Sequence, residues 1–436
     1  MTDVGGRGWA RRAGVAGAVL GLTAATVAAG VAVERLTVHR AVRRRARLAL
    51  DTAGPYGSLR GTPGRAVADD GTELYYEADE PEGGIPEGAP TVVFSHGYCL
   101  AQDVWHFQRA ALRGAEPTAP PTPALRAVYW DQRGHGRSGR GRAGETVTID
   151  RLGRDLKAVL DAAVPTGPVV LVGHSMGGMT MMALAHQHPG YVAERVAAVA
   201  LLGTSAGNLT EVTYGLPAAG ARALRRMAPG VLRTLAARAD LVERGRRATA
   251  DLFTGLVKRY SFGTRDVDPG VARFAERLIE SVPVDVVADF YPAFAEHDKT
   301  AALAAFEEGR PALILTGDRD LLTPREHSEA MAGALPHADL VVVEGAGHLV
   351  MLEHPEAVND RLAELLTRTI HPHGHTAPPG RGGHPRGRSG EPAEPPGSPG
   401  DPESPGDPES PGDPESPGDR GLPEPRADRE DPRRDP

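Results

Sequence analysis

The feature that most constrains this chain is an aliphatic run followed at once by a Gly-x-Ser-x-Gly turn. The run is Val169–Val172, and the turn reads Gly173-His174-Ser175-Met176-Gly177. Four aliphatic residues without alternation predict a strand buried on both faces. The residues from Met179 to His188 then have helical character. A sharp strand-to-helix turn of this kind lifts a serine hydroxyl above the sheet edge, so we expect Ser175 to be a nucleophile.

Short aliphatic runs alternate with helical stretches on both sides of this turn. Strands are predicted at Thr91–Phe94, Ala127–Trp130, Val196–Leu202, Ala312–Leu315 and Leu340–Val343. Helices are predicted at Asp103–Leu112, Thr148–Val164 and Pro355–Thr369, with Thr148 as an N-cap. Two segments in which polar and apolar residues alternate are joined by Asp70-Gly71, and they predict a β-hairpin that precedes the strand at Thr91–Phe94. This order predicts an α/β fold with a mostly parallel sheet flanked by helices.

The alternation is interrupted between residues 208 and 306. This stretch is rich in Arg and Ala, helical in period, and contains no run typical of a buried strand. A helical block between two strands of one sheet is typical of an inserted lid. We therefore expect a helical lid at 208–306 and a core in two parts, residues 64–207 and 307–370.

The N-terminal residues 1–50 favour a membrane anchor with a basic flank. Residues 13–33 carry no charge and are long enough to cross a bilayer as a helix. Six arginines follow between positions 35 and 47, against three before position 13. The positive-inside rule then places the catalytic domain in the cytoplasm. A cleaved signal peptide, a twin-arginine export signal at Arg11-Arg12 and a dispensable amphipathic arm stay open as alternatives, the first two implying export.

Composition separates the C-terminal residues 371–436 from the rest of the chain. They are dense in Pro and Gly and repeat Ser-Pro-Gly-Asp-Pro-Glu, which predicts a disordered tail. They hold 14 acidic residues and 8 arginines, so most of the net charge of −8 belongs to them. The near-neutral remainder does not suggest a nucleic-acid partner. The single Cys99 excludes an intrachain disulfide and a thiolate-rich metal site.

Two later strand ends carry the partners that a serine nucleophile needs. The strand ending at Leu315 is followed by Gly317-Asp318-Arg319-Asp320, and the strand ending at Val343 by Gly345-Ala346-Gly347-His348. A serine hydroxyl needs a positioned base, and that base needs an acid that fixes its tautomer. The chain offers Ser, Asp and His in this order, each after a strand, which predicts His348 as the base.

Together with Ser95-His96-Gly97-Tyr98 and the loop Asp131–Ser138, these motifs resemble the α/β-hydrolase superfamily, in its lid-bearing serine esterase and lipase-like branch, over about residues 64–370. The resemblance implies a catalytic triad of Ser175, Asp320 and His348. Its pattern of Gly-x-x-Asp, an apolar pair and Pro favours Asp320 over Asp318. It also implies an oxyanion hole made by the backbone N–H groups of Tyr98 and Met176, and it calls for no cofactor and no metal.

The resemblance implies a serine hydrolase that cleaves carboxylic esters or acyl groups of small molecules through a covalent acyl-enzyme. A serine at the nucleophile position argues against haloalkane dehalogenases and epoxide hydrolases, which carry Asp there. An acyltransferase, a C–C bond hydrolase, an amidase or peptidase and a cofactor-free haloperoxidase would use the same triad, and a non-catalytic membrane scaffold would keep the fold. We expect His96 to hold the oxyanion loop, and the side chain of His174 to point away from the serine.

Overall fold

The computed structural model describes residues 56–115, 123–141, 147–237, 255, 257–264, 266–306 and 309–371. Its centre is an eight-stranded sheet in the order β1-β2-β4-β3-β5-β6-β7-β8. The strands are β1 (Thr62–Val67), β2 (Glu73–Asp79), β3 (Thr91–Ser95), β4 (Ala127–Trp130), β5 (Val169–His174), β6 (Val196–Leu202), β7 (Ala312–Gly317) and β8 (Asp339–Val343).

The sheet is antiparallel at one edge and parallel elsewhere. β1 and β2 form the predicted hairpin, and β2 also runs antiparallel to β4. Every other pair of neighbours, from β4 through β3 to β8, is parallel. Strands β3, β4, β5 and β7 are buried at every position, as their unbroken aliphatic runs predict. The carboxyl ends of the parallel strands therefore meet at one edge of the sheet, which is where ligands bind in open α/β sheets.

The helices are α1 (His106–Leu112), α2 (Ile149–Ala163), α3 (Met176–Gln187), α4 (Pro189–Arg195), α5 (Ala218–Ala236), α6 (Pro269–Ser281), α7 (Val284–Ala295), α8 (Arg325–Ala334), α9 (Val350–Glu353) and α10 (Pro355–Ile370). The hydroxyl of Thr148 accepts the N–H of Arg151 and caps α2 as predicted. Short 3-10 turns lie at Gln102–Trp105, Leu209–Glu211 and Thr300–Ala305.

The sheet is covered on both faces by apolar clusters. On one face, side chains of α2, α3 and α8 pack against Val93, Val128 and Leu171. On the other face, α1, α6 and α10 pack against Val92 and Phe94. Alternate residues of β3 point to opposite faces, so one strand serves both clusters. The predicted α/β architecture with helices on both faces is confirmed.

The segment predicted as a lid contains α5, α6 and α7, and its described residues include no strand. The three helices have different surroundings. Helix α6 contributes Phe274 to the sheet-facing cluster that also contains α1 and α10. Helix α7 lays Val286 and Phe290 against Met176 at the start of α3. This places α7 beside the turn that carries Ser175. That the segment opens and closes as a lid stays a prediction.

The predicted membrane anchor, residues 1–50, and the predicted tail beyond residue 371 lie outside the described residues. Within the described ranges, no helix has the length and apolar character that a membrane span requires.

Candidate active site

Ser175 occupies a strained turn between β5 and α3. Its φ of 51° and ψ of −118° are unfavourable for a residue with a side chain, and such strain costs about 1–3 kcal/mol. Hydrogen bonds hold the turn in place. The Ser175 N–H donates to the carbonyl of Leu202 at 2.9 Å, and its carbonyl accepts the Thr204 hydroxyl at 2.7 Å. The conformation is therefore imposed by β6 and the residues that follow it.

The glycines of the turn are there because neighbouring backbone leaves no room for a side chain. A Cβ on Gly177 would lie 2.1 Å from the carbonyl oxygen of Ser95, at the end of β3. A Cβ on Gly173 would lie 2.7 Å from the carbonyl carbon of Gly177. The Gly-x-Ser-x-Gly spacing thus lets the first turn of α3 pack directly against β3 and β5.

Asp320 and His348 contact each other at the carboxyl ends of β7 and β8. The distance from His348 Nδ1 to Asp320 Oδ2 is 2.8 Å. An ionised carboxylate only accepts hydrogen bonds, so this contact assigns the proton to Nδ1 and leaves the Nε2 lone pair available as a base. Asp320 Oδ1 accepts the N–H groups of Leu322 at 2.8 Å and Thr323 at 2.9 Å.

The electrostatics of Asp320 suit a group that stays ionised beside an imidazole. Burial raises the pKa of its carboxyl, but the charge and hydrogen bond of His348, with the backbone N–H groups of Thr323 and Leu322, outweigh burial and hold the pKa below its ordinary value. The other candidate, Asp318, is exposed and accepts the N–H of Gly345 at 2.7 Å. Of the two carboxylates, the structure brings Asp320 to His348.

His174, the residue before the strained serine, contacts the histidine of this acid–base pair. The ring of His174, the residue before Ser175, lies 4.7 Å from the ring of His348, and its Nε2 is 2.9 Å from the His348 carbonyl. Within the described residues, no hydrogen bond joins the Ser175 hydroxyl to His348. Catalytic hydrogen bonds are often long in the absence of substrate. The three candidate side chains are buried, Ser175 at 9% of full exposure, so the site is covered.

The contact between His174 and His348 joins residues 174 positions apart, and nothing in the sequence signals it. The position of His174 predicts only that its side chain points away from the serine. The structure adds a contact between this side chain and the backbone of the predicted base.

The loop after β3, residues 96–99, carries the predicted oxyanion donor Tyr98 and is held by neutral imidazoles. His96 Nδ1 donates to the carbonyl of Gly97 at 2.7 Å, and its Nε2 accepts the N–H of Gln132 at 2.9 Å. The Gln132 amide in turn donates to the His96 carbonyl at 2.5 Å. A Cβ on Gly97 would lie 3.2 Å from Ser175 Cβ, so the loop runs beside the nucleophile. His96 thus makes the hydrogen bonds expected of a residue that holds this loop.

Tyr98 and Met176, the predicted oxyanion donors, follow directly on Gly97 and Ser175, two residues that lie beside each other. Met176 begins α3 directly after Ser175 and is fully buried. The ring of Tyr98 contacts Phe294 of α7 at a centroid distance of 5.0 Å, and its hydroxyl donates to the Val287 carbonyl at 2.5 Å. The side chain of Tyr98 is therefore anchored to α7.

The loop Asp131–Ser138 is hydrogen-bonded to the loop after β3. His135 Nδ1 donates to the Arg133 carbonyl at 2.9 Å, and its Nε2 accepts the N–H of Cys99 at 3.1 Å. Arg133 is itself fixed by buried ion pairs to Asp155 at 2.5 Å and Asp70 at 2.8 Å. Within the described ranges, no group of three metal-ligating side chains is arranged around a common point.

Three buried imidazoles around the site are held neutral, and this predicts acid sensitivity. Burial lowers the pKa of His96 to about 4. Burial lowers the pKa of His135 to about 3, with a further contribution from His96. Burial and the neighbouring His348 lower the pKa of His174 to about 3. The unfolded chain binds these protons near pH 6.5, so stability should be fully present above about pH 7 and lost progressively as the pH falls towards 4.

We expect thermal unfolding followed by circular dichroism to show this loss, about 1 kcal/mol per imidazole at pH 5.5. His135→Gln should reduce the dependence of Tm on pH between 7.5 and 5.5, because one proton-binding site is removed from the unfolded state. His186→Gln, at an exposed position, is the matched control and should leave the slope unchanged. Equal slopes for His135→Gln and wild type would contradict the assignment of neutral buried imidazoles.

Comparison with known proteins places this geometry in a family. The sequence profile described as "alpha/beta hydrolase fold" matches residues 90–355. The 3-oxoadipate enol-lactonase 1 of Acinetobacter baylyi is 27% identical over 62% of this chain and 86% of its own. Epoxide hydrolase A of Mycobacterium tuberculosis is 29% identical over 70% of this chain and 97% of its own. A solved thermophilic esterase from Thermogutta terrifontis has a TM-score of 0.53 and 26% identity, covering 70% of this chain and 98% of its own.

The profile match spans most of the chain, and it begins before β3 and ends at the start of α10, so it includes every strand end that carries a candidate site residue. The sheet order and the strained strand-to-helix turn at Ser175 agree with this match. The chain belongs to the α/β-hydrolase fold family.

Proposed function

We propose that this member of the hydrolase family is a serine hydrolase that cleaves carboxylic esters or acyl groups of small molecules. The observation that carries the proposal is the contact between His348 and Asp320 at the same sheet edge as the strained Ser175. A carboxylate that holds Nδ1 of an imidazole leaves Nε2 to act as a general base. A serine in a strained strand-to-helix turn is the nucleophile that such a base serves.

In the proposed mechanism, His348 Nε2 takes the proton of the Ser175 hydroxyl as its oxygen attacks the substrate carbonyl carbon. The oxyanion accepts hydrogen bonds from the backbone N–H groups of Met176 and Tyr98. The C–O bond to the leaving alcohol then breaks, and the imidazolium returns its proton to that oxygen. Water repeats the sequence on the acyl-enzyme, giving up one proton to His348, and releases the acid and free Ser175.

The relatives and the lining of the site favour an ester as substrate. An enol-lactone is a cyclic ester, and the solved neighbour is named an esterase, so two of the three compared proteins are named for ester chemistry. The third is named an epoxide hydrolase, and Ser175 at the nucleophile position distinguishes this chain from the Asp that the family resemblance implies for that reaction. The rings of Tyr98, Phe290 and Phe294 pack together next to the loop after β3, and we expect an apolar acyl group to bind against them.

Two neighbouring carboxylates provide a matched test of the triad. We expect Asp320→Asn to lower kcat for p-nitrophenyl esters by about 10⁴-fold, because the amide stabilises the wrong tautomer of His348. Asp318→Asn removes a carboxylate two residues away that is exposed and does not touch the imidazole, and should change kcat by less than about twofold. A panel of acyl chain lengths in the same assay measures the acyl preference. Equal losses for the two variants would rule out Asp320 as the triad acid.

We further propose that residues 13–33 anchor the chain in a membrane, with the catalytic domain in the cytoplasm. The support is the uncharged length of this segment and the six arginines between positions 35 and 47. The full chain should sediment with membranes and resist carbonate extraction, whereas a chain beginning at Asp51 should stay in the supernatant. Protease added to intact spheroplasts should leave the domain uncut; its digestion there would favour export instead.

A further inference from the structure

The carboxylate of Glu353, the last residue of α9, joins two segments that are remote in sequence. Its Oε2 accepts the N–H of Gly347 at 2.7 Å. Its Oε1 accepts the N–H of Thr264 at 3.0 Å, and both oxygens lie 3.0 Å from the N–H of Gly263. Gly347 immediately precedes His348. Gly263 and Thr264 lie just before α6 in the segment predicted as a lid, residues 208–306, which we call the helical insertion. One carboxylate therefore holds backbone N–H groups from the loop that carries His348 and from the helical insertion.

The two segments that Glu353 joins are also packed backbone against backbone. A Cβ on Gly347 would lie 2.4 Å from the nitrogen of Gly263. A Cβ on Gly263 would lie 2.2 Å from the carbonyl oxygen of Gly345. The N–H of Leu349 donates to the carbonyl of Ser261 at 2.8 Å. A movement of residues 261–264 would therefore be transmitted to the loop that carries His348, with Glu353 as the shared acceptor.

His348 is restrained from three directions. Its ring nitrogen contacts Asp320, and its carbonyl contacts the ring of His174. The N–H of the preceding residue is held by Glu353. Hydrogen bonds to an ionised acceptor are roughly twice as strong as neutral ones. Asp320 fixes the tautomer of the ring, whereas the contacts of His174 and Glu353 hold the backbone on either side of His348.

We propose that Glu353 is a positioning residue for His348, setting the distance of its imidazole from Ser175 and making that distance depend on the helical insertion. This inference rests on the proposed role of His348 as the general base. The base must stand within hydrogen-bond reach of the serine hydroxyl. Glu353 holds the backbone N–H directly before His348, so it acts on the position from which the imidazole reaches the serine.

The test compares Glu353→Gln and Glu353→Ala with Glu356→Gln, a control carboxylate that is exposed in the first turn of α10. Glu353→Gln keeps one acceptor oxygen and turns an NH₂ group towards the N–H donors. We expect kcat to fall about 10-fold in Glu353→Gln and about 100-fold in Glu353→Ala, since a displacement near 1 Å has effects of this size. KM should stay within about twofold, because uniform binding is not removed. Glu356→Gln should match wild type.

A second measurement separates positioning from fold stability. The downfield proton resonance of the His348–Asp320 hydrogen bond should shift or broaden in the Glu353 variants, and rates are expressed per titrated active site. The proposal is overturned if kcat per site stays within about twofold of the control. It is equally overturned if the loss of activity follows only a loss of folded protein while the resonance is unchanged. If Glu353→Ala does not fold, Glu353→Gln decides between these results.

The outcome for Glu353 is distinguishable from the outcome for the triad. If His348→Ala keeps the wild-type rate, the proposed function fails whatever the Glu353 variants do. If His348→Ala is inactive and the Glu353 variants behave as the control, the triad stands and Glu353 has no positioning role.

Discussion

The strained backbone of Ser175 is the constraint on which the rest of the site depends. A positive φ at a residue with a side chain persists only where the surroundings determine it. Here the surroundings are β6, which receives the Ser175 N–H, and the close approach of Gly177 to the end of β3. The conformation of the turn therefore depends on three neighbouring parallel strands, β3, β5 and β6, being in register.

Neutral imidazoles hold the loops around this turn through hydrogen bonds to their backbone. His96 and His135 each donate from Nδ1 to a backbone carbonyl and accept a backbone N–H at Nε2, so each fills both of its hydrogen-bonding positions without carrying charge. The ring of His174, in the turn that carries Ser175, contacts the His348 carbonyl. His348 differs from these three because its ring contacts a carboxylate, which stabilises the imidazolium that a proton transfer would create. The environment thus separates histidines that build the site from the one suited to chemistry.

Sequence patterns predicted the sheet well because each strand has a local signal. The runs at Val196–Leu202 and Ala127–Trp130 match β6 and β4 at both ends, and the helix predicted over Thr148–Val164 is α2 with one residue fewer at each end. The segment predicted as a helix from Asp103 begins instead as a 3-10 turn, and α1 starts at His106. The contacts of Glu353 and His174 could not be predicted, because they join residues far apart and involve backbone groups that every residue carries. Ser175 and His348 were predicted from their place after strands, and Asp320, Tyr98 and Met176 from the family resemblance, whereas the contacts that hold these residues had no signal in the sequence.

Covalent labelling of Ser175 tests most directly whether this residue is the nucleophile. Incubation of the full chain with a fluorophosphonate probe, followed by peptide mass spectrometry, should place one adduct on the peptide containing Ser175, and Ser175→Ala should not be labelled. A folded wild-type protein that takes up no probe, or undiminished labelling of Ser175→Ala, would contradict the assignment of Ser175 as the nucleophile.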